Sequence, residues 1–455
     1  MHVLYVHQNF PAQFGHIARH LTRTRGWRCS FVSETPAGNV EGIEKIQYKI
    51  AGGATKTTHF CSRTFENAVW HTDAVYNALK GRPDIKPDLI VGHSGFGSTL
   101  FLPELYPDVP LINFFEYYYN PHDPDSDMDF REDLGWQVPE IKYLRSRCRN
   151  AMILLDLQAC DAAYTPTTFQ KMRFPSEYQQ KLQTIFDGVD RETYHGYDEA
   201  LRPAPAARGT RTIAGVEVGP DTRVVTYCSR GFESMRGFDV FMKAAKLIYA
   251  QYPDVKFFVV GTDRIAYGGD EQYIAPHKTF KDWTLAQDEY DLSKFHFTGR
   301  LSPPELGKLL ASGDLHIYLT VPFVLSWSMM DALSCGAVVL ASDTAPVKEM
   351  IIDGENGLLV DFFDADALAD KAVAVLNDPG AYRPLGRRAE EIIKERYSLQ
   401  AVLPRMLALY DDAVARRAAM PRAVRKRGTP TAASPRPSPR SANVAQPARR
   451  TPFAG

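Results

Sequence analysis

Short apolar runs alternate with longer amphipathic stretches along most of this chain. In the first half, runs typical of buried strands occur at His2–Val6, Arg28–Val32, Leu89–Val91, Leu111–Phe115 and Ala162–Tyr164. In the second half, they occur at Val224–Tyr227, Lys256–Gly261, Phe295–Thr298, Leu315–Leu319, Ala337–Ala341 and Gly357–Val360. Strands that alternate with helical patterns predict an α/β fold with doubly wound parallel sheets.

A change in composition separates the two sets of strands. The stretch Ala200–Pro220 is rich in Pro, Ala, Gly and Arg, which favours a connection over a helix or a strand. The chain has 455 residues. At about 150 residues per domain, this length suggests two or three domains. We therefore predict a first domain over residues 1–205 and a second domain over residues 206–397.

Composition and charge narrow the class of protein. Hydrophobic residues make up 44% of the chain and charged residues 24%, as in a globular protein with ample core. The formal net charge of −1 gives no electrostatic reason to expect nucleic acid. None of the six cysteines belongs to a CxxC pair, so we expect reduced thiols and a cytoplasmic location. The start HVLYVHQNF reads as a strand rather than a signal peptide, and no apolar run reaches the roughly 18 residues of a membrane span.

The most informative segment is Leu319–Asp361, in which a turn leads into a helix. Val324, Leu325 and Ser326 form the turn, and Asp331 lies about one turn inside the predicted helix. Free backbone N–H groups at a helix N-terminus can receive a phosphate. A carboxylate one turn further on can accept hydrogen bonds from ribose hydroxyls. The segment therefore predicts a nucleotide site.

This segment resembles the retaining glycosyltransferases of family 4, which have the GT-B fold. Those enzymes carry two glutamates in text like EGFGLPVLEAMACG, and the stretch MMDALSCG places Asp331 at the second of them. Phe323 occupies the position of the first glutamate. A subgroup that begins HQNFP and carries PFVLSWS-like text is closer to this chain. The resemblance implies two Rossmann-like domains that face each other across a ligand-binding cleft.

A second motif extends the resemblance. The stretch CSRGFESMRG is similar to the family's arginine-plus-lysine motif, with Arg230 at the arginine position and Arg236 at the lysine position. Fixed cations stabilise the charge that a diphosphate gains as the glycosidic bond breaks. Arginine can also bind two phosphate oxygens at once. The alternative is that both arginines are solvated residues at a helix start.

The resemblance implies that the first domain supplies the acceptor side. The loop His7–Gly15 follows the first strand, and we expect Gln13 and Gly15 to line the cleft near the diphosphate and the acceptor. The alternative is an ordinary loop between a strand and a helix. His93 follows a strand where the family often has a histidine that touches the donor sugar, although a lone histidine is more often structural. Glu116 is a further candidate for contact with an acceptor hydroxyl.

In the family, loops that follow strands of the second domain border the nucleobase. Gly261 and Thr262 follow one such strand here, and Gly299 follows the next. Glu349 falls where the family often has an acidic residue, so it joins the predicted nucleotide-sugar contacts. Its alternative role is to cap a helix or balance the charge of a helix nearby.

An acidic loop raises the question of a metal ion. The segment His122–Asp129 contains several D-x-D triplets, and carboxylates with this spacing can bind Mn²⁺ or Mg²⁺. In GT-B enzymes, a helix dipole and arginines take the place of the metal. We therefore predict no metal, and a solvated acidic loop or part of a lid that faces the acceptor.

The last part of the chain has two distinct patterns. Ser398–Arg417 has the pattern of a long amphipathic helix, and the resemblance implies that this helix, over residues 398–420, crosses back onto the first domain. Residues 421–455 are rich in Arg, Pro, Ala and Ser and contain no Asp or Glu, which predicts a disordered basic tail. The alternative for the tail is weak peripheral contact with an anionic membrane.

The resemblance implies a metal-independent retaining glycosyltransferase of surface polysaccharide or glycan biosynthesis. Its donor would be a nucleotide-diphosphate sugar, its acceptor a sugar or lipid-linked glycan, and no further cofactor is expected. One alternative is a catalytically inactive nucleotide-sugar-binding protein, suggested by Phe323 and by the shortened acid Asp331. The other is a nucleotide-sugar 2-epimerase, because the same fold serves both activities.

Overall fold

The computed structural model describes residues 1–34, 38–95, 99–123, 126, 130–196 and 209–419. Two parallel β-sheets form its centre, and helices cover both faces of each sheet. This architecture confirms the predicted fold class of two Rossmann-like α/β domains.

The first sheet has seven strands in the spatial order β3-β2-β1-β4-β5-β6-β7, and every neighbouring pair is parallel. Its strands are β1 (His2–Val6), β2 (Arg28–Ser33), β3 (Ile43–Gln47), β4 (Leu89–His93), β5 (Leu111–Phe114), β6 (Ala162–Thr165) and β7 (Leu182–Thr184). Its helices are α1 (Gly15–Arg25), α2 (Arg63–Lys80), α3 (Leu102–Leu105), α4 (Glu140–Ala159), α5 (Thr168–Met172) and α6 (Ser176–Gln179).

The second sheet has six strands in the order β12-β11-β10-β13-β14-β15, again all parallel. Its strands are β10 (Arg223–Gly231), β11 (Val255–Thr262), β12 (Phe295–Gly299), β13 (Leu315–Tyr318), β14 (Val339–Ser342) and β15 (Leu358–Val360), preceded by the hairpin strands β8 (Arg211–Ile213) and β9 (Val216–Val218). Its helices are α7 (Phe238–Gln251), α8 (Phe280–Leu285), α9 (Pro303–Ser312), α10 (Trp327–Ser334), α11 (Ala345–Lys348), α12 (Ala365–Asn377) and α13 (Pro379–Ile392).

Three elements differ from the sequence-based expectation. Strand β3 was missed because its sequence, IEKIQ, has only two apolar residues and lies at the edge of the sheet. The antiparallel hairpin of β8 and β9 lies inside the stretch that was expected to be a connection.

The final helix, α14 (Leu399–Ala419), packs against the first sheet. Met406 and Tyr410 are fully buried in the cluster that contains Val3 and Tyr5 of β1. The chain therefore returns to the first domain after it has built the second one. In the described part of the chain, none of the helices combines the length and apolar character that crossing a membrane would need.

Residues 130–137, which precede α4 in the first domain, lie against the second domain. The ring of Phe130 packs against Phe362 and Phe363, with centroid distances of 5.3 and 5.0 Å. Trp136 stacks on Tyr273 with its centroid 4.7 Å away. These contacts bring the carboxyl ends of the two sheets to face each other across a cleft.

Candidate active site

The carboxyl ends of β1 and β4 bring two buried histidines together at the cleft. The rings of His7 and His93 are 4.9 Å apart in an edge-on arrangement. His7 Nδ1 accepts a hydrogen bond from the backbone N–H of Asn9 at 2.9 Å, and His93 Nδ1 donates to the Ser94 carbonyl at 2.7 Å. Burial lowers the pKa of both, and for His7 the neighbouring His93 and Arg230 lower it further. Both imidazoles are therefore neutral near pH 7.

A carboxylate and an indole extend this group of side chains. Glu116 Oε2 lies 3.8 Å from His93 Nε2. Burial raises the pKa of Asp187 well above its usual range; Glu116 raises it further, and a hydrogen bond with Trp327 opposes the shift. Trp327, the first residue of α10, also packs 5.6 Å from the ring of His16. The first domain therefore contacts the start of α10 directly.

Asp156 of α4 supports the turn that carries His93. Ser94 Oγ donates to Asp156 Oδ2 at 2.8 Å, while Oδ1 is buried and accepts no hydrogen bond from the described residues. Burial raises the pKa of Asp156 to about 7. The carboxyl is therefore mostly protonated below neutral pH, because the hydrogen bond from Ser94 offsets only part of the cost of burying its charge.

We predict that Asp156→Asn becomes more stable relative to the wild type as the pH rises from about 5 to about 8. The pKa of Asp156 rises from its ordinary value of 3.8 to about 7 on folding. Its stabilising contribution is complete below the lower value and is lost as the pH rises through the higher one. The wild type should thus lose roughly 2–3 kcal/mol of unfolding free energy relative to the variant between about pH 5 and about pH 8. Urea denaturation at both pH values measures this, and equal losses for both proteins would contradict it.

Asp331 lies at the carboxyl end of the second sheet, about one turn into α10. Its side chain is buried, with 8% exposure, and its carboxylate accepts no hydrogen bond from the described residues. Burial raises the pKa of Asp331 well above its usual range, and the nearby Asp190 raises it further. A ligand that donates hydrogen bonds here would relieve this desolvation, as a ribose diol would.

The turn before α10 offers backbone donors next to Asp331. Ser326 caps the helix, where its side chain accepts from the Ser328 N–H at 3.3 Å, while its own N–H donates to Tyr318 Oη at 3.0 Å. The N–H groups of Val324 and Leu325 have no acceptor among the described residues. The part of the predicted phosphate site that remains open is therefore the pair Val324 and Leu325.

An aromatic cluster occupies the position of the family's first glutamate. Phe323 packs between Tyr117 of the first domain and Tyr267 of the second, with ring centroids 4.8 and 5.7 Å away. Phe323 is buried. It therefore contributes to contact between the domains rather than a charge or a hydrogen bond.

The two arginines of the second motif have different surroundings. Arg230 is exposed, and its closest partner among the described residues is Tyr267 Oη, 3.4 Å from Nη1. Arg236 is buried, with 6% exposure, and donates to Thr320 Oγ1 at 2.6 Å and to the Val324 carbonyl at 3.1 Å. Arg230 is therefore available to a ligand in the cleft, whereas Arg236 also fixes the turn before α10.

Sequence reasoning missed the carboxylate that shapes the loop beside these arginines. Glu233 Oε2 accepts hydrogen bonds from three successive backbone N–H groups, those of Ala266, Tyr267 and Gly268, at 2.8–3.0 Å. Its Oε1 is buried without a hydrogen-bond partner among the described residues. Glu233 lies inside the motif CSRGFESMRG, but nothing in the local sequence shows that it binds a loop more than 30 residues away.

The predicted nucleobase loops lie at the ends of β11 and β12. Gly261 has a φ of 147°, and a Cβ there would lie 2.2 Å from the Ser229 carbonyl oxygen, so the position requires glycine. Thr262 Oγ1 donates to the Arg230 carbonyl at 3.0 Å. Gly299 ends β12 with a φ of 69°. Thr262 thus contacts the backbone of Arg230, and the predicted contact of these loops with a nucleobase stays a prediction.

Gln13 and Gly15 lie where β1 leads into α1. The Nε2 of Gln13 is buried and has no hydrogen-bond partner among the described residues. Gly15 begins α1, and a Cβ at this position would lie 2.6 Å from the Pro11 ring. The predicted contact of both residues with ligand stays a prediction, and the orphan amide of Gln13 favours it.

Glu349 has a different set of partners from the predicted nucleotide sugar. Its two carboxylate oxygens accept from the backbone N–H groups of Thr168 and Phe169, both at 2.7 Å. These are the first two residues of α5 in the first domain. Glu349 therefore caps a helix across the domain boundary, which is the alternative that the sequence left open.

We predict that Glu349→Ala lowers stability and leaves donor affinity unchanged. Loss of this cap should cost about 0.5–2 kcal/mol of unfolding free energy. Urea denaturation and titration with a nucleoside diphosphate measure the two quantities. Glu355→Ala is the matched control, because Glu355 is exposed and lies 3.5 Å from Arg388. Weaker nucleotide binding with unchanged stability would instead assign Glu349 to the donor site.

Within the described residues, no three His, Cys, Asp or Glu side chains converge as ligands for a metal ion. Asp123 of the acidic loop pairs with Arg173 at 2.6 Å. Residues 124, 125 and 127–129 of that loop lie outside the described residues, as does the predicted basic tail. The prediction of no metal therefore stays a prediction.

Two family models match this chain. Residues 25–194 match the model described as glycosyl transferase family 4 group, and residues 211–392 match glycosyl transferases group 1. The two facing Rossmann-like domains with a cleft between them define the GT-B class of proteins. The chain belongs to the family 4 glycosyltransferases within that class.

Individual relatives are similar over part of their length. Phosphatidyl-myo-inositol mannosyltransferase of Mycolicibacterium smegmatis is 25% identical over 194 residues, which are 42% of this chain and 45% of that protein. N-acetyl-alpha-D-glucosaminyl L-malate synthase of Bacillus anthracis is 26% identical over 24% of this chain and 28% of its own length. The chain thus matches less than half the length of these two curated relatives.

Solved structures agree over nearly the whole fold. Sucrose-phosphate synthase from Thermosynechococcus elongatus has a TM-score of 0.67 at 17% identity and covers 91% of this chain and 100% of its own. HepE of Anabaena, in complex with UDP and glucose, has a TM-score of 0.59 at 14% identity and covers 90% of this chain and 100% of its own. At these identities, the similarity shows the fold.

Proposed function

We propose that this chain transfers a sugar from a nucleoside-diphosphate sugar to an acceptor hydroxyl, with retention of the anomeric configuration and without a metal ion. The observation that carries the proposal is the start of α10. There the open N–H groups of Val324 and Leu325 precede by seven and six residues Asp331, a buried carboxylate without a hydrogen-bond donor among the described residues. A phosphate can accept hydrogen bonds from such N–H groups, and a ribose diol can donate hydrogen bonds to such a carboxylate.

The cleft supplies the remaining contacts for such a donor. Arg230 would bind the diphosphate from the second domain, opposite the neutral His7 and His93 of the first. Neutral imidazoles can hydrogen-bond the hydroxyls of the transferred sugar without repelling Arg230. HepE, which has the same fold, was solved with UDP and glucose, and this supports a donor of that kind.

The transfer forms one bond and breaks another on the same face of the sugar. The acceptor oxygen forms a bond to the anomeric carbon as the bond from that carbon to the diphosphate oxygen breaks. The electron pair of the broken bond stays on the diphosphate, whose oxygen takes the acceptor's proton. Arg230 and the N–H groups of Val324 and Leu325 stabilise the charge that develops there. Domain closure excludes water that would otherwise hydrolyse the donor.

A donor screen tests the proposal. UDP-, GDP- and ADP-sugars would be added to the full chain with and without EDTA, and both the melting temperature and the released nucleoside diphosphate would be measured. We expect one donor to raise the melting temperature, unaffected by EDTA, and to be turned over slowly. In the product, proton NMR should show the donor's anomeric configuration. Asp331→Asn should weaken donor binding.

The other outcomes separate the alternatives. Donor binding without turnover, even with a range of acceptors, would indicate a nucleotide-sugar-binding protein. Conversion of the donor sugar to its 2-epimer would indicate an epimerase. Inversion of the anomeric carbon would contradict the same-face transfer, and activity that EDTA abolishes would contradict the metal-free site.

A further inference from the structure

A basic surface inside the cleft is separate from the residues assigned above to the donor. Lys142, Arg145 and Arg149 lie on α4 at spacings of three and four residues, so they share one face of the helix. All three line a cavity of about 310 Å³ between α4 and the second domain's loop 267–273. The cavity lies at the domain interface, where an acceptor would enter.

These three cations lack acidic partners. Within the described chain, no carboxylate oxygen comes within 4.0 Å of their side-chain nitrogens. Arg145 Nη2 donates to Thr64 Oγ1 at 3.1 Å, while its Nε is buried without an acceptor. Burial lowers the pKa of Lys142 and Arg145, and neighbouring cations of the cluster lower it further, while Glu271 and Asp270 oppose the shift at Lys142. Three like charges on one half-buried face are unfavourable unless an anion joins them.

Acidic groups at the cavity do not neutralise this face. Asp270 lines the same cavity, but its two oxygens accept from the N–H and Oγ of Ser234 at 2.8 and 2.7 Å. Glu132 also lines it. Arg131, a fourth cation of the lining, is paired with Asp239. Four cations and two carboxylates therefore line the cavity, so the net charge of its lining is positive.

Arg149 connects this cavity to the place where the sugar is transferred. Its guanidinium lies 3.5 Å over the ring of Tyr119 and donates to the Tyr119 hydroxyl. It also lines a second cavity of about 300 Å³, together with His93 and Glu116. A molecule with a hydroxyl beside His93 could thus place an anionic group on the face of α4.

We propose that the acceptor carries a phosphate group, which Lys142, Arg145 and Arg149 bind while its hydroxyl lies near His93. This inference rests on the proposed function, because it assigns the acceptor of that reaction. Phosphate is the anion that matches the site, because two arginine forks and one ammonium can bind its oxygens together. The source is either a soluble sugar phosphate or a phosphorylated lipid headgroup.

Titration of the full chain with UDP at saturation tests this, since UDP then fills the donor's diphosphate site. We expect inorganic phosphate and glucose 6-phosphate to bind the wild type, and glucose to bind far more weakly than glucose 6-phosphate. Lys142→Ala and Arg145→Ala should each weaken phosphate binding by about 10- to 100-fold. Arg147→Ala is the matched control, because Arg147 is exposed on the same helix and does not line the cavity. Circular dichroism and UDP affinity verify that each variant is folded.

Vesicles of phosphatidylcholine with and without phosphatidylinositol distinguish the two sources. In one outcome, the wild type sediments with vesicles that contain phosphatidylinositol while Lys142→Ala and Arg145→Ala do not. That result would assign the phosphate to a lipid headgroup. Binding of glucose 6-phosphate without vesicle binding would assign it to a soluble acceptor. The inference is overturned if UDP binds normally while both variants bind phosphate and vesicles like Arg147→Ala. Failure of UDP itself to bind would instead count against the proposed donor site.

Discussion

Replacement of Arg230 by alanine is expected to lower kcat by about 10²–10³-fold with almost no change in stability. Arg230 is exposed in the cleft, and its side chain has one long hydrogen bond, to Tyr267, among the described residues. Its loss therefore removes little from the folded state. It does remove a cation from the diphosphate as negative charge builds up on the leaving oxygen. Steady-state measurement of nucleoside diphosphate release, together with thermal unfolding, gives both quantities.

Two further variants sharpen this test. Arg230→Lys retains a charge but not the planar pair of donors, so its kcat should fall between those of the wild type and the alanine variant. Arg388→Ala is the control, because Arg388 is an exposed arginine that pairs with Glu355 and Glu391 away from the cleft. A kcat of Arg230→Ala equal to that of the control would remove Arg230 from the reaction.

The different surroundings of Arg230 and Arg236 show which properties of the site the sequence could predict and which it could not. Motif spacing identified both arginines as candidates, because the sequence motif of a βα unit predicts which residues lie near the end of its strand. It did not show that Arg236 is buried against Thr320 and the Val324 carbonyl. Those partners lie more than 80 residues further along the chain, so burial is a property of the fold and not of the motif.

The fold class was predictable for a physical reason. Buried parallel strands consist of short apolar runs, and the helices between them have a different period, so both leave a local signal. Strand β3 is the outermost strand of its sheet and is only partly buried. Its sequence therefore lacks an apolar run. The hairpin of β8 and β9 was hidden because its strands have only three residues each.

Contacts between the domains were the least predictable part of the site. The sequence showed that Phe323 departs from the family's motif. It did not show the partners of Phe323, because Tyr117 and Tyr267 come from distant parts of the chain. The same holds for Glu349, whose position suggested a donor contact, although its carboxylate caps a helix of the first domain. Such pairs depend on how two separately folded sheets face each other, which leaves no periodicity in either sequence.

Arg131 forms the most buried ion pair across the domain boundary among the described residues. It precedes α4 in the first domain, and its Nη1 and Nη2 donate to the two oxygens of Asp239 on α7 at 3.0 and 2.7 Å. Nη1 also donates to the Ser234 carbonyl at 2.6 Å, and Nε donates to Asp133 at 2.8 Å. Burial opposes the charge of Arg131, but Asp239 and Asp133 outweigh it and raise the pKa of the guanidinium.

We therefore expect Arg131→Ala to cost about 3–5 kcal/mol of unfolding free energy, because it leaves the buried Asp239 carboxylate without its cation. Urea denaturation measures the loss. Arg82→Ala is the matched control: Arg82 also pairs with two acids, Glu44 and Asp84, but on the surface, so its loss should be below about 1 kcal/mol. The double variant Arg131→Leu with Asp239→Leu should recover much of the stability, since the unpaired charge is then gone. Equal losses for Arg131→Ala and Arg82→Ala would show that the contact between the domains does not depend on this pair.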